Sequence, residues 1–170
     1  RGETYTIRMC GQYQVENACL ALLALQVLEP LPPEIIQKGM AEARWLGRFD
    51  YVKKSPVWIA DGAHNPQGME SLLASLRQMY PDKKRIGIMG VFADKDHRKM
   101  CRKLAEDSLF QKIFTIQAPG PRGLSAESLA EELAFFGMQS QSCTSLAEAV
   151  EEVKKLQKME EKDTVVVCFG

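Results

Sequence analysis

The chain has 170 residues, 45% of them hydrophobic, and its 22 basic residues balance its 22 acidic residues. This length supports one ordinary domain with a core and a small appendage, and the balanced charge argues against a nucleic-acid partner or a basic membrane-binding patch. The apolar runs are shorter than the roughly eighteen residues of a membrane span, so we expect a cytoplasmic protein without a membrane partner.

The first part of the chain predicts a strand followed by two helices. Apolar and polar residues alternate over residues 3–9, which is typical of a short strand. Apolar residues then recur at three- and four-residue steps over residues 14–28, as on the buried stripe of a helix. Pro33 suits the first turn of a second helix over residues 34–43. The pattern breaks around Leu46, where we place a domain boundary.

After this break the chain alternates between predicted strands and predicted helices. Such alternation indicates βαβ units, so we expect an α/β fold with a Rossmann-like open, mostly parallel sheet and helices on both faces. The predicted strands cover residues 49–54, 57–61, 85–91, 112–117, 138–142 and 164–169. The predicted helices cover residues 66–80, 97–108, 126–136 and 146–159.

The segment 61–66, with the sequence DGAHNP, directly follows a predicted strand. In an open parallel sheet, ligands collect at the carboxyl ends of strands, where helix N-termini present free N–H groups. Asp61 would repel a phosphate, so it is better suited to accept hydrogen bonds from ribose hydroxyls or to order a magnesium-bound water. His64 could donate to a phosphate or a carboxylate. An equally good interpretation is that Asp61 and Asn65 only cap the turn and His64 is solvated.

Two further turns place charge at the same edge of the predicted sheet. Asp96 follows one strand and is better interpreted as the N-cap of the next helix than as a catalytic group. Lys95 could meet an anion, although a solvated lysine is the commoner case. Arg122 lies in a Pro/Gly loop and could hold a substrate carboxylate by a bidentate contact, but a plain surface charge is at least as good an interpretation.

Several common sites are excluded by their spacing. The sequence has no G-x-G-x-x-G turn, no G-x-x-x-x-G-K-S/T phosphate loop and no G-x-S-x-G elbow. Its five cysteines are scattered without a C-x-x-C pair, and it has only two histidines, which argues against a disulfide framework or a zinc site. If the chain handles ATP, the main phosphate cradle must be supplied from elsewhere.

Four sequence blocks, in order, resemble the folylpolyglutamate synthase and dihydrofolate synthase family of the Mur ligase superfamily. Residues 11–18 (GQYQVENA) are similar to the family's G-x-[HY]-Q-x-x-N-A helix start, and residues 46–48 (LGR) to its P-G-R linker. Residues 61–66 are close to its D-x-A-H-N-P block, and residues 94–96 match its D-K-D turn. The resemblance covers nearly the whole chain, and Leu46 in place of proline is a mild departure.

This resemblance implies a domain division and residue roles. Residues 1–46 would be a strand-helix-helix tail of a central ATPase domain, and residues 47–170 the C-terminal domain that closes over the nucleotide. Asn17 would contact adenine, Arg48 the phosphates and Asp61 the ribose. His64 would lie near the phosphate or the incoming glutamate, as the catalytic residue of this chain.

The implied reaction is ATP-dependent phosphorylation of a folate or dihydropteroate carboxylate, followed by attack of the L-glutamate amine on the acyl phosphate. The family's phosphate loop and Mg²⁺ ligands lie in a preceding region, so we expect no metal ligand here and no turnover by the isolated chain. Most family members act as monomers. Two alternatives stay open: a Mur-type ligase for a cell-wall precursor, and a non-catalytic nucleotide-binding module.

Overall fold

The computed structural model describes residues 3–28, 31–159 and 164–170, and every strand and helix predicted after Leu46 is confirmed there with small shifts at the ends. The strands are β1 (Asp50–Lys54), β2 (Val57–Asp61), β3 (Lys84–Met89), β4 (Lys112–Thr115), β5 (Ser140–Ser142) and β6 (Thr164–Phe169). The helices are α1 (Gln12–Leu28), α2 (Pro33–Glu42), α3 (Pro66–Met79), α4 (His97–Asp107), α5 (Ala126–Phe135) and α6 (Leu146–Met159).

The six strands form one sheet in the order β1-β2-β6-β3-β4-β5. Strand β6 pairs in parallel with both β2 and β3, and β4 continues the parallel arrangement to β5. Among the described strands, only β1 runs antiparallel, as the edge partner of β2. The expected Rossmann-like, mostly parallel open sheet is therefore confirmed, and its parallel strands all end at the same edge.

Helices cover both faces of this sheet. On one face Leu72 of α3, Leu104 of α4 and Leu129 of α5 are fully buried against the strands. On the other face Ala149 and Val153 of α6 are equally buried in a separate cluster. Strands buried on both faces read as continuous apolar runs rather than as alternating ones, which explains the sequence TVVVCF of β6.

The strand predicted over residues 3–9 is wrong. This segment is irregular, because none of the described strands pairs with it and a strand needs a neighbour to satisfy its backbone N–H and C=O groups. The predicted strand-helix-helix tail is therefore an irregular segment followed by two helices. Alternation of side chains can indicate a strand, but it does not supply the partner.

The predicted buried stripe of α1 is also wrong at several positions. Val15, Cys19 and Leu28 are exposed, because α1 is apolar around most of its surface and meets the described chain chiefly at α3. A helix that is apolar all round is typical of a position inside a larger core. None of the described helices is both long and apolar enough to cross a membrane.

Candidate functional site

A cavity of about 610 Å³ opens at the carboxyl edge of the sheet; we call it the edge cavity. It is formed by the ends of β2 and β6, the turns after β3 and β4, and the linker at residues 45–48. The residues Arg48, Asp61, His64 and Arg122, which the sequence singles out, all line it, whereas Asn17 does not. One edge of the sheet thus brings together side chains from three separate parts of the sequence.

The linker is fastened to the turn after β2, and this fixes Arg48 at the edge cavity. The Gly62 N–H donates to the Gly47 carbonyl at 2.7 Å, and Arg48 Nη1 donates to the Gly62 carbonyl at 3.4 Å. Gly47 and Phe49 have positive φ angles of 72° and 48°, so the chain reverses sharply on either side of Arg48. Within the described residues the Arg48 guanidinium makes no further hydrogen bond or ion pair, so its other N–H groups can bind a ligand.

Asp61 is nearly buried, with 6% of its surface exposed, and the protein itself uses its carboxylate. Its Oδ2 accepts a hydrogen bond from the Phe49 N–H at 2.8 Å and another from the Tyr13 hydroxyl at 2.9 Å. Burial raises the pKa of Asp61, while these two hydrogen bonds and the nearby Arg48 charge act to lower it. Asp61 therefore joins the linker and α1 to the turn after β2, whatever ligand it also meets.

The imidazole of His64 is half-buried and held in one tautomer by the turn. Its Nδ1 lies 2.7 Å from the carbonyl oxygen of Gly62. Because a carbonyl oxygen can only accept, Nδ1 carries the hydrogen and Nε2 is left for a ligand. In the neutral ring Nε2 accepts a proton or a hydrogen bond, and in the imidazolium form it donates to an anion.

The first turn of α3 is capped as the sequence predicts. Asn65 Oδ1 accepts from the Gly68 N–H at 2.8 Å, and Pro66 occupies the first helical position. This cap satisfies one of the free N–H groups at the helix start and fixes the direction in which the turn leaves β2. The capping interpretation of Asn65 is confirmed.

Replacing Asn65 with alanine should lower the free energy of unfolding by about 1 kcal/mol, because the Gly68 N–H loses its acceptor. Urea unfolding at neutral pH would measure this loss. Asn65→Asp is the matched control, since aspartate supplies an equally good capping oxygen and should leave stability nearly unchanged. Equal losses in the two variants would contradict a role for the cap.

The turns after β3 and β4 bring Arg122 to the wall of the edge cavity. Its guanidinium lies 3.5 Å from Asp94 and 4.7 Å from the ring centre of Phe92. Asp96 accepts from the Lys99 N–H at 3.4 Å, which confirms it as the N-cap of α4. Lys95 also lines the edge cavity, and its ammonium group has no ion-pair partner among the described residues. The Lys95 ammonium group is thus available to a ligand, as the Arg48 guanidinium is.

Asn17 lines a neighbouring, mostly apolar cavity of about 810 Å³ between α1, α2 and residues 7–9; we call it the helix cavity. Arg48 and Trp45 line both cavities, so the two are adjacent. The Asn17 side chain is exposed, and its Nδ2 donates to Gln14 Oε1 at 3.2 Å. The Asn17 amide therefore stands at the side of an apolar space that continues toward Arg48.

Sequence reasoning assigned no role to Tyr13 and Gln14, which line the helix cavity. A signal for Tyr13 was available in Gly11, two residues earlier. Gly11 has a φ of 101°, and a Cβ added there would lie 2.8 Å from the Tyr13 ring. A glycine is needed at that position both for the backbone angle and for the close approach of the aromatic ring.

In the part of the chain that the structure describes, no three His, Cys, Asp or Glu side chains are grouped so as to hold a metal ion. The edge cavity is instead lined by three cationic side chains, those of Arg48, Lys95 and Arg122. Such a lining suits an anionic ligand better than a bare metal ion.

A family profile described as "Mur ligase, glutamate ligase domain" matches residues 47–170. The chain belongs to the Mur ligase family. A curated relative, the dihydrofolate synthase/folylpolyglutamate synthase of Escherichia coli (strain K12), is 34% identical over 154 residues, which are 89% of this chain and 34% of the relative. The matched part of this Mur ligase chain covers 28% of the folylpolyglutamate synthase of Lacticaseibacillus casei and 15% of a probable bifunctional folylpolyglutamate synthase/dihydropteroate synthase of Haloferax volcanii, so it spans about a third or less of these curated relatives.

Solved structures similar to this Mur ligase chain include two with a bound nucleotide. A Mycobacterium tuberculosis folylpolyglutamate synthase complexed with ADP has a TM-score of 0.89 at 25% identity, covering 96% of this chain and 38% of that chain. A bifunctional folylpolyglutamate synthase/dihydrofolate synthase with Mn, AMPPNP and L-glutamate bound has a TM-score of 0.77 at 28% identity, covering 98% of this chain and 38% of that chain.

The region that matches the Mur ligase profile contains every residue that lines the edge cavity except Trp45 and Leu46. Tyr13, Gln14 and Asn17 precede that region, although they are joined to it through Asp61. The candidate site therefore draws on both the matched domain and the helix before it.

Proposed function

We propose that this chain is part of an ATP-dependent ligase that adds L-glutamate to folate or dihydropteroate through an acyl phosphate, and that it forms one wall of the ATP and glutamate site. The observation that carries the proposal is the edge cavity, in which Arg48, His64 and Arg122 face one space at the carboxyl edge of a Mur ligase sheet. Similar proteins solved with ADP, or with AMPPNP and L-glutamate, support the same ligands here.

The two adjacent cavities fit the two ends of ATP. The helix cavity has an apolar lining suited to the flat faces of a purine, with the Asn17 amide at its side. The guanidinium of Arg48 lies between the cavities, and its planar fork matches phosphate oxygens. We assign the adenine contact to Asn17, the phosphate contact to Arg48 and the ribose contact to the lone pairs that Asp61 does not use within the protein.

The part of the edge cavity that Arg122 lines fits an amino acid substrate. Arg122 is positioned by Asp94 and Phe92 and presents a cation that can bind a carboxylate of L-glutamate. Nε2 of His64 stands on the same cavity and can bind the transferred phosphate or accept a proton from the incoming amine. Closure of another domain over this wall would align the reactants and exclude water from the acyl phosphate.

The Mg²⁺ that such a reaction uses would be held by groups outside the described residues, since no suitable cluster of side chains is found in them. When bound, the metal would neutralise phosphate charge during transfer. The residues of this chain would then contribute base recognition, phosphate contacts and substrate orientation.

The full gene product that carries this chain provides the test. ADP release should require both L-glutamate and either dihydropteroate or a folate, and the product should be heavier than the pterin substrate by one glutamyl residue in mass spectrometry. Omitting each substrate in turn is the control. ADP release that depends on a cell-wall nucleotide precursor would favour the Mur-type alternative, and absence of any substrate-dependent ADP release would contradict the ligase proposal.

A further inference from the structure

Helix α1 buries a polar residue and leaves apolar ones exposed. Within Gln12–Leu28 the only buried residue is Gln14, with 3% of its surface exposed, whereas Leu20 is 65% exposed and Val27 84%. Burying an amide is unfavourable unless its donor and acceptor are both hydrogen-bonded. The partners of Gln14 should therefore explain why it is there.

Gln14 lies between Asn17 and Tyr13 in a network of polar side chains. Its Oε1 accepts from Asn17 Nδ2 at 3.2 Å, and its side chain neighbours the Tyr13 hydroxyl, where it opposes the rise in the Tyr13 pKa caused by burial and by Asp61. The Tyr13 hydroxyl in turn donates to Asp61 Oδ2 at 2.9 Å. The network thus runs from Asn17 to Asp61, the two residues assigned to adenine and to ribose.

The hydrogen bonds at the two ends of this network indicate which end of the Gln14 amide faces each neighbour. The Tyr13 hydroxyl donates to Asp61 Oδ2, so its oxygen lone pairs face a donor such as the Gln14 amide nitrogen. Gln14 must then direct its oxygen toward Asn17, which selects the Nδ2 end of the Asn17 amide on that side. Asn17 is left with Oδ1 and one N–H for a ligand, in a fixed arrangement.

We propose that Gln14 is a positioning residue for base specificity, fixing the Asn17 amide so that the site prefers adenine to guanine; this inference rests on the proposed ATP site. Adenine presents a donor, its N6 amino group, beside the N7 acceptor, which matches the oxygen and N–H of an oriented amide. Guanine presents O6 and N7, both acceptors, so the fixed Asn17 oxygen faces an oxygen and is repelled. An amide free to rotate would lose part of this discrimination.

The test uses Gln14→Met in the full gene product, because methionine has nearly the same length and makes none of these hydrogen bonds. We expect the dissociation constant for ATP to rise about fivefold to tenfold, and the preference for ATP over GTP to fall by a similar factor. Leu20→Met is the control on the same helix and should leave the preference unchanged. A purely structural role for Gln14 would reduce the fraction of active protein but not the ratio of the two affinities.

Tyr13→Phe is the second variant, since it removes only the hydroxyl that directs Gln14 and keeps the aromatic ring in place. It should reduce the ATP preference in the same direction as Gln14→Met. If the wild type prefers ATP over GTP and the folded variants keep the same preference, this inference is wrong. The proposed function would still stand. A wild type that binds neither nucleotide would overturn both.

Discussion

Replacing Arg48 with alanine should raise the KM for ATP by about tenfold to a hundredfold, because a hydrogen-bonded contact to a charged phosphate contributes about 1.5–3 kcal/mol. Arg48 is the cation that lines both cavities, and its backbone is fixed by the Gly47–Gly62 contact rather than by its side chain. The loss should therefore appear in nucleotide use more than in stability. Arg48→Lys should be intermediate, since an ammonium group keeps the charge but not the planar fork.

Initial rates at varied ATP, with the other substrates saturating, would measure this effect in the full gene product. Arg44→Ala is the matched control, because Arg44 is an exposed arginine four residues earlier and does not line the edge cavity. Its KM for ATP should stay at the wild-type value. A wild-type KM in Arg48→Ala itself, in protein whose thermal unfolding is unchanged, would remove Arg48 from the nucleotide site.

Asp61→Ala should lower the free energy of unfolding by about 2–4 kcal/mol, because two donors lose their acceptor at once. These donors are the Phe49 N–H, which is buried, and the Tyr13 hydroxyl, which is partly buried. Asp61→Asn should cost less, since an amide oxygen can still accept from the Phe49 N–H. Urea unfolding of the two variants beside the wild type would measure the difference.

The contribution of Asp61 should also depend on pH. Its folded-state pKa is raised by burial, so the folded protein holds the Asp61 proton over a range where the unfolded chain has released it. This contribution to stability is present below the unfolded pKa, near 3.8, and is lost as pH rises through the folded pKa. The stability difference between the wild type and Asp61→Asn should shrink over that interval. A difference that grows with rising pH would contradict a raised pKa.

The parts of the fold that the sequence predicted are those whose signal is local. The elements after Leu46 could be predicted from the periodicity of their apolar residues and from caps such as Asn65 and Asp96. Both caps are confirmed. The segment 3–9 has the same local alternation but no described partner, and α1 has apolar residues on every side, so periodicity alone misplaced both. Pairing and burial depend on what lies opposite, which no short window of sequence contains.

The candidate site likewise contains some residues that could be predicted from the sequence and some that could not. Residues after strands could be grouped in advance, because parallel strands end at one edge, and this rule found Asp61, His64 and Arg122. The hydrogen bond from Tyr13 to Asp61 spans 48 positions, and no spacing rule connects them. Lys95 was noticed only as a charge in a turn, since most such lysines are solvated.

Strand β6 follows every other strand along the chain and yet lies at the centre of the sheet, between β2 and β3. During synthesis the position between β2 and β3 therefore stays empty until β6 leaves the ribosome. Their unpaired edges and apolar faces stay available to other chains throughout that time, which makes the nascent protein prone to misassembly. Because β6 joins partners that are distant in sequence, we expect its insertion to be a late and slow step of folding.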